Sequence, residues 1–221
     1  AVAQSGVGNR VMTSPDGITW TSRTSVADKS WIGVTYGNGR FVAVSNSNEF
    51  MTSADGITWT SRTVPVYNFW SSVAYGGGLF VAVSYSGVGN RVMTSPDGIT
   101  WTSRASAADN SWRSVAYGEG QFVAVASHGS SDRVMTSTDG VTWAASAPAS
   151  QDAWYSVSYG SELWVSVASG AVMTSGPVAL TVTTTAATAI TAATATLNGT
   201  VNSNAAGETT SQISVRYGAD E

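Results

Sequence analysis

Four aspartates, Asp16, Asp55, Asp97 and Asp139, recur in one setting, Met-Thr-Ser-x-Asp-Gly-Ile/Val-Thr-Trp, and are the first residues to test for chemistry. Carboxylates that work as a hydrolytic pair lie about 5–10 Å apart. Copies at the same outer turn of successive repeats are held far from one another, so these four read as turn chemistry. In an Asp-Gly turn the glycine tolerates positive φ and the aspartate bonds back to the turn amides. Arg23, Arg62 and Arg104 recur after the tryptophan, with Ser146 breaking the series, and read as solvated charges or ion pairs between repeats. Arg10, Arg91 and Arg133 form a second set in which Glu49 replaces one member, and the same reading applies to them. His128 is the one histidine, and the chain has no cysteine. A His, Asp and Ser within the single loop 127–132 lack the strand-held geometry that orients a nucleophile. No catalytic residue, metal site or cofactor is expected, and the chain reads as non-enzymatic.

The positions that vary between repeats carry more information about binding. Before one recurring tryptophan the copies read Asp28-Lys29-Ser30, Tyr67-Asn68-Phe69, Asp109-Asn110-Ser111 and Gln151-Asp152-Ala153. A second variable loop reads Asn46-Ser47-Asn48, Tyr85 to Asn90 and His128 to Asp132. The candidate ligand-binding residues are therefore Asp28, Lys29, Tyr67, Asn68, Asp109, Asn110, Gln151, Asp152, Asn46, Asn48, Tyr85 and His128. Polar, aromatic and amide side chains that change from repeat to repeat suit a shallow carbohydrate-binding face. Relaxed surface loops have the same composition, and both readings stand open.

The elements that must position these loops follow from a repeat. The tryptophans Trp20, Trp59, Trp101 and Trp143 are spaced 39, 42 and 42 residues apart, as are Trp31, Trp70, Trp112 and Trp154. A period near forty marks a repeat architecture. In one unit, Trp70–Tyr75 alternates on a two-residue period, and Leu79–Ser84 is the continuous apolar run of a strand covered on both faces. Arg91–Ser95 is a third strand, Pro96-Asp97-Gly98 a tight turn, and Ile99–Ser103 a fourth strand. Four short antiparallel strands per forty residues is one propeller blade. Aromatic residues at fixed strand positions, with Trp164 standing where other copies have Phe, read as core between blades.

The predicted fold is an all-β propeller of four-stranded antiparallel blades over residues 1–176. It divides into an N-terminal part-blade 1–24, blades 31–63, 70–104 and 112–147, and a part-blade 154–175. About five blades are expected; a four-bladed ring closed by a hybrid of the two ends, or a larger ring cut short, are alternatives. Ala1-Val2 aligns with Ala82-Val83, so the chain reads as starting within a repeat. Residues 5–23 and 86–104 are identical over nineteen positions, the mark of a recent duplication.

Ser14-Pro15-Asp16-Gly17-Ile18-Thr19-Trp20 resembles a shortened Asp-box of the BNR/sialidase-like propellers, one residue short between Asp and Gly in every copy. The resemblance covers roughly residues 1–175. It implies that Asp16, Asp55, Asp97, Asp139, Trp20, Trp59, Trp101 and Trp143 are structural, because Asp-boxes are hairpins between third and fourth strands. Sialidases in that family hold a substrate carboxylate with three arginines beside a Tyr/Glu pair and an Asp acid; here the arginines are repeat consensus, which makes a sialidase-type glycoside hydrolase the least favoured reading. After residue 176 a Thr/Ala-rich segment, 177–221, resembles the first half of a bacterial fibronectin-III-like module, and the whole reads as part of a longer modular protein.

Composition bounds the function. Charged residues are 11% of the 221, and hydrophobic residues 43%. Nine Trp, eight Tyr and five Phe supply a core that a disordered chain lacks. A net charge of −4 with no basic stripe argues against nucleic acid. No run of about eighteen apolar residues is present to insert in a membrane. The expected function is a secreted or cell-surface binding or adhesion propeller, with a glycan or another surface protein as partner. A structural or assembly repeat that self-associates through incomplete blades or the tail is the alternative.

Overall fold

The computed structural model describes residues 1–130 and 132–175, together with the backbone of strands 181–188, 194–202 and 211–218. The chain divides into two compact units, Ala1–Ser175 and Gly176–Glu221.

The first unit is a succession of antiparallel sheets taken in chain order. A two-stranded piece, β1 (Val11–Thr13) and β2 (Thr21–Arg23), leads. Three four-stranded sheets follow. The first holds β3 (Trp31–Gly37), β4 (Arg40–Ser45), β5 (Glu49–Ser53) and β6 (Thr60–Thr63). The second holds β7 (Trp70–Gly76), β8 (Leu79–Ser84), β9 (Val92–Ser95) and β10 (Thr102–Arg104). The third holds β11 (Trp112–Gly118), β12 (Gln121–Ala126), β13 (Val134–Ser137) and β14 (Ala144–Ser146). A three-stranded sheet, β15 (Trp154–Gly160), β16 (Leu163–Ala168) and β17 (Val172–Ser175), ends the unit. Each strand pairs with the next in sequence, and the first strands of neighbouring sheets touch, β3 with β7, β7 with β11 and β11 with β15. The N-terminal residues form the expected stub of a second strand. Val2 bridges Val11 as Val83 pairs with Val92, eighty-one residues on in both members.

Sheet-to-sheet packing explains the constant residues. Trp31, Trp70, Trp112 and Trp154 are fully buried at the starts of the first strands. β4, β8 and β12 are buried almost end to end, while β16 exposes Val167. The Tyr-Gly pair is an interlock. A Cβ added to Gly37 would lie 2.0 Å from the Tyr75 ring, at Gly76 1.9 Å from Tyr117, and at Gly118 2.2 Å from Tyr159. Only hydrogen fits where the next sheet's tyrosine lies flat. Serine hydroxyls add polar ties between first strands: Ser72 and Ser114 accept the Val115 and Val157 amides at 3.2 and 3.1 Å.

The fourth strands begin later than the sequence predicts. Ile99, Thr100 and Trp101 belong to the hairpin loop, and β10 starts at Thr102. The reason is the aspartate. Asp97 Oδ1 accepts the Ile99 and Thr100 amides, both at 2.8 Å, and so takes those residues out of the ladder.

In the second unit β18 (Thr181–Thr188), β19 (Thr194–Asn202) and β20 (Ser211–Gly218) form one antiparallel sheet.

Candidate functional site

The recurring polar residues are spent on the framework. In each hairpin the aspartate Oδ1 accepts two main-chain amides and the Ser hydroxyl two residues before it, as at Asp55 with Ile57, Thr58 and Ser53. The tryptophan indole then closes the loop on the glycine carbonyl, Trp59 on Gly56 at 3.1 Å. Amide donation holds the Asp16, Asp55 and Asp139 carboxyls at a pKa of about 2. At Asp97 burial works upward, yet the Thr100 and Ile99 amides and Ser95 outweigh it and the carboxyl is again lowered.

The arginines divide into two roles, of which only one includes the expected ion pairs between blades. Arg23, Arg62 and Arg104 donate from Nε to Thr13, Thr52 and Thr94 on the adjacent strand of their own sheet, at 3.0–3.1 Å. They make cross-strand hydrogen bonds, not ion pairs between blades. The inter-blade role falls to the other set. Arg91 donates to the Asn110 carbonyl at 2.7 Å and faces Asp109 at 3.5 Å. Arg10 faces Asp28 at 3.5 Å, and Arg133 donates to the Gln151 and Asp152 carbonyls.

These latches absorb half of the candidate binding residues. Asp28 and Asp109 accept the Gly8 and Gly89 amides of the preceding sheet's loop at 2.7 Å. Asn68, 3% exposed, donates to the Asn90 carbonyl, and Asn110, 1% exposed, holds Ser130 and Asp132. Short Asx side chains beside glycine are what a loop clamp needs, so the variable polar positions misled the sequence reading here. Lys29 pairs with Glu49 at 3.5 Å, Asp152 with Ser150 at 2.5 Å, and the Asn48 carbonyl accepts the Val64 amide.

Asn46, Tyr67, Tyr85 and His128 are brought together on one face, across three sheets. The Tyr85 hydroxyl donates to Asn46 Oδ1 at 2.5 Å. Its ring lies 5.6 Å from Phe69, which meets Tyr67 edge-on at 6.3 Å. The Arg113 guanidinium stacks over the Tyr85 ring, 4.3 Å from its centre. Arg113 is anchored through Nε to Ser127 Oγ at 2.9 Å, which also contacts His128 Nδ1. Tyr67 is 68% and Phe69 37% exposed, so two aromatic rings remain open beside the half-buried Tyr85–Arg113 stack.

Phe69 and Arg113 were missed as candidates. A signal for Arg113 exists in the sequence. The residue after each first-strand tryptophan reads Ile32, Ser71, Arg113 and Tyr155, and each is the extra residue of a β-bulge between Trp and the following Ser or Gly. Bulges re-aim a side chain out of the ladder, so a position that varies within a constant frame is one that can be spent on recognition.

No family model and no curated protein matches the chain. Solved structures do. A streptogramin B lyase superposes with a TM-score of 0.61 at 8% identity, over 97% of this chain and 77% of that one. A nidogen/laminin complex gives 0.56 at 12%, over 86% and 83%. YCF48 bound to D1 peptide gives 0.54 at 17%, over 89% and 71%. The fold is a β-propeller. At these identities the likeness extends to the fold alone, and the sheet succession fits about five blades.

Proposed function

We propose that this chain is a non-catalytic binding propeller of sialidase-like, Asp-box ancestry, that it works outside the cell, and that it takes a glycan at the Tyr67–Phe69–Tyr85–Arg113 cluster. The observation that carries the reading is the pair of open aromatic rings beside an anchored guanidinium, drawn from loops of consecutive blades. Aromatic faces stack on the apolar faces of sugars, and guanidinium and amide groups supply directional donors for hydroxyls. The recurring carboxylates support a non-catalytic role, since each accepts three hydrogen bonds within its own hairpin. No helix among the described residues is long and apolar enough to cross a membrane.

A glycan array probed with residues 1–221 tests this, beside the variant Tyr67→Ala/Phe69→Ala. Both side chains are exposed, so the variant leaves folding intact. Asn68→Ala is avoided because it would empty a buried clamp. Selective binding lost in the variant is expected. Binding that survives in full would move the site elsewhere, and a folded wild-type chain that binds no glycan would remove the carbohydrate reading.

A further inference from the structure

One sheet carries a pair of arginines that its neighbours lack. The residue that opens each second strand reads Arg40, Leu79, Gln121 and Leu163. The third residue of the fourth strands reads Arg62, Arg104 and Ser146. Of the three four-stranded sheets, only the first has arginine at both places.

Strand register puts the two on one face. Val42 pairs with Thr52, Thr52 with Thr60 and Phe50 with Arg62, so Arg40, Thr52, Thr60 and Arg62 point the same way. With Asp55 and Thr58 of the hairpin they line a groove of about 310 Å³.

Both arginines are half-buried, held along the stem and free at the head. A Cβ on Gly98 would lie 3.5 Å from Arg40 Cδ, so the next sheet's hairpin backs the Arg40 stem. Asn38 donates to the Pro96 carbonyl of that hairpin at 3.1 Å and fixes its approach. Arg62 is held through Nε by Thr52 Oγ1 at 3.1 Å. Among the described residues nothing bonds the Arg40 side chain or the Arg62 Nη groups, and neither arginine forms an ion pair.

Two guanidiniums on one face repel, and partial burial weakens the screening by water. Asp55 offsets one charge, but its Oδ1 is committed to Ile57, Thr58 and Ser53. Two arginines and one aspartate leave the lining one positive charge, in a chain of net charge −4. Forked N–H donors match oxyanions, which accept parallel hydrogen bonds. A carboxylate has two oxygens in one plane, enough for a single fork. A tetrahedral oxyanion has enough for both forks and a hydroxyl.

We propose that this groove binds a tetrahedral oxyanion, a sulfate or phosphate group, gripped between Arg40 and Arg62 with the Thr60 hydroxyl beside it. Thr58 and Thr60 are exposed, so the group can arrive as a free ion or as the ester of a larger molecule. The site lies beside the hairpin, and the inference is independent of the loop-face cluster.

Arg104 is a control within the same molecule. It makes the same bond, to Thr94 at 3.0 Å, with Leu79 where Arg40 stands. Inorganic sulfate is titrated against chloride at constant ionic strength into residues 1–221, and the arginine Nε–H NMR signals are followed. The expected result is a saturable shift at Arg40 and Arg62 with Arg104 unmoved. Arg40→Leu copies Leu79 and Leu163 and so leaves folding intact. Loss of its charged hydrogen bonds should weaken binding at Arg62 at least about tenfold. A sulfated disaccharide and its unsulfated parent form a second arm. Tighter binding of the sulfated sugar than of free sulfate identifies an ester as the ligand, and equal binding identifies the free ion; either upholds the oxyanion assignment. Unsaturable shifts of equal size at Arg62 and Arg104 would show an adventitious ion only and overturn the proposal. So would the absence of any shift, or undiminished binding in Arg40→Leu.

Discussion

At the residue scale, one carboxylate oxygen organises each repeat. Asp16, Asp55 and Asp139 sit at a pKa of about 2 because amides of the same loop donate to them. A folded-state pKa below the unfolded value of about 4 means that the stabilisation is fully present above pH 4. It is lost as pH falls through about 2. The melting temperature should therefore hold between pH 7 and 5 and fall steeply from pH 4 to 2. Asp55→Asn keeps the acceptor oxygen without the charge and should flatten that fall. A melting temperature indifferent to pH across this window would contradict the assignment. The same oxygen explains why the loop outlasts the turn read from sequence. An Asp-Gly pair signals reversal, but which amides the side chain captures depends on backbone coordinates, and capture of Ile99 and Thr100 moved the start of β10 to Thr102.

At the scale of the element, the decisive contact is glycine against tyrosine. Gly76 lies under the Tyr117 ring, whereas Gly160, at the same place in the last sheet, has nothing within 4 Å of an added Cβ. Gly76→Ala must push a packed ring or separate two sheets, at a cost of about 1–3 kcal/mol, as for other overpacked cores. Gly160→Ala should be within about 0.5 kcal/mol of wild type. Denaturant unfolding of the two variants checks this, and equal losses would show that the interlock is not what glycine serves. The Tyr-Gly repeat was legible in the sequence as core. That the two residues of one pair serve two different junctions was not, because periodicity reports recurrence and not which neighbour is touched. The Arg113–Tyr85 stack escaped for the same reason, its members lying on different sheets.

Over the whole first unit, stability should fall toward the ends. β7–β9 are buried almost throughout, while β15–β17 leave Val167 and Val172 exposed. Amide exchange measured on wild-type protein should show strong protection in β8 and β9 and weaker protection in β16 and β17. Uniform protection across the unit would contradict this ranking.

By itself the sequence determined the strand pattern, the blade repeat, the Asp-Gly hairpins and the burial of the first-strand tryptophans. These follow from local periodicity and turn chemistry, repeated until chance is excluded. Tertiary structure alone decided which polar loop residues are clamps and which face solvent. It buried Asn68 and Asn110, tied the exposed Asp28 and Asp109 to the preceding loop's amides, gathered Asn46, Tyr67, Phe69, Tyr85 and Arg113 on one face, and left identical hairpins buried at Trp101 and open at Trp20. The physical reason is that a side chain's role is set by the groups that approach it from other sheets. Two copies of one sequence segment differ only in what stands beside them.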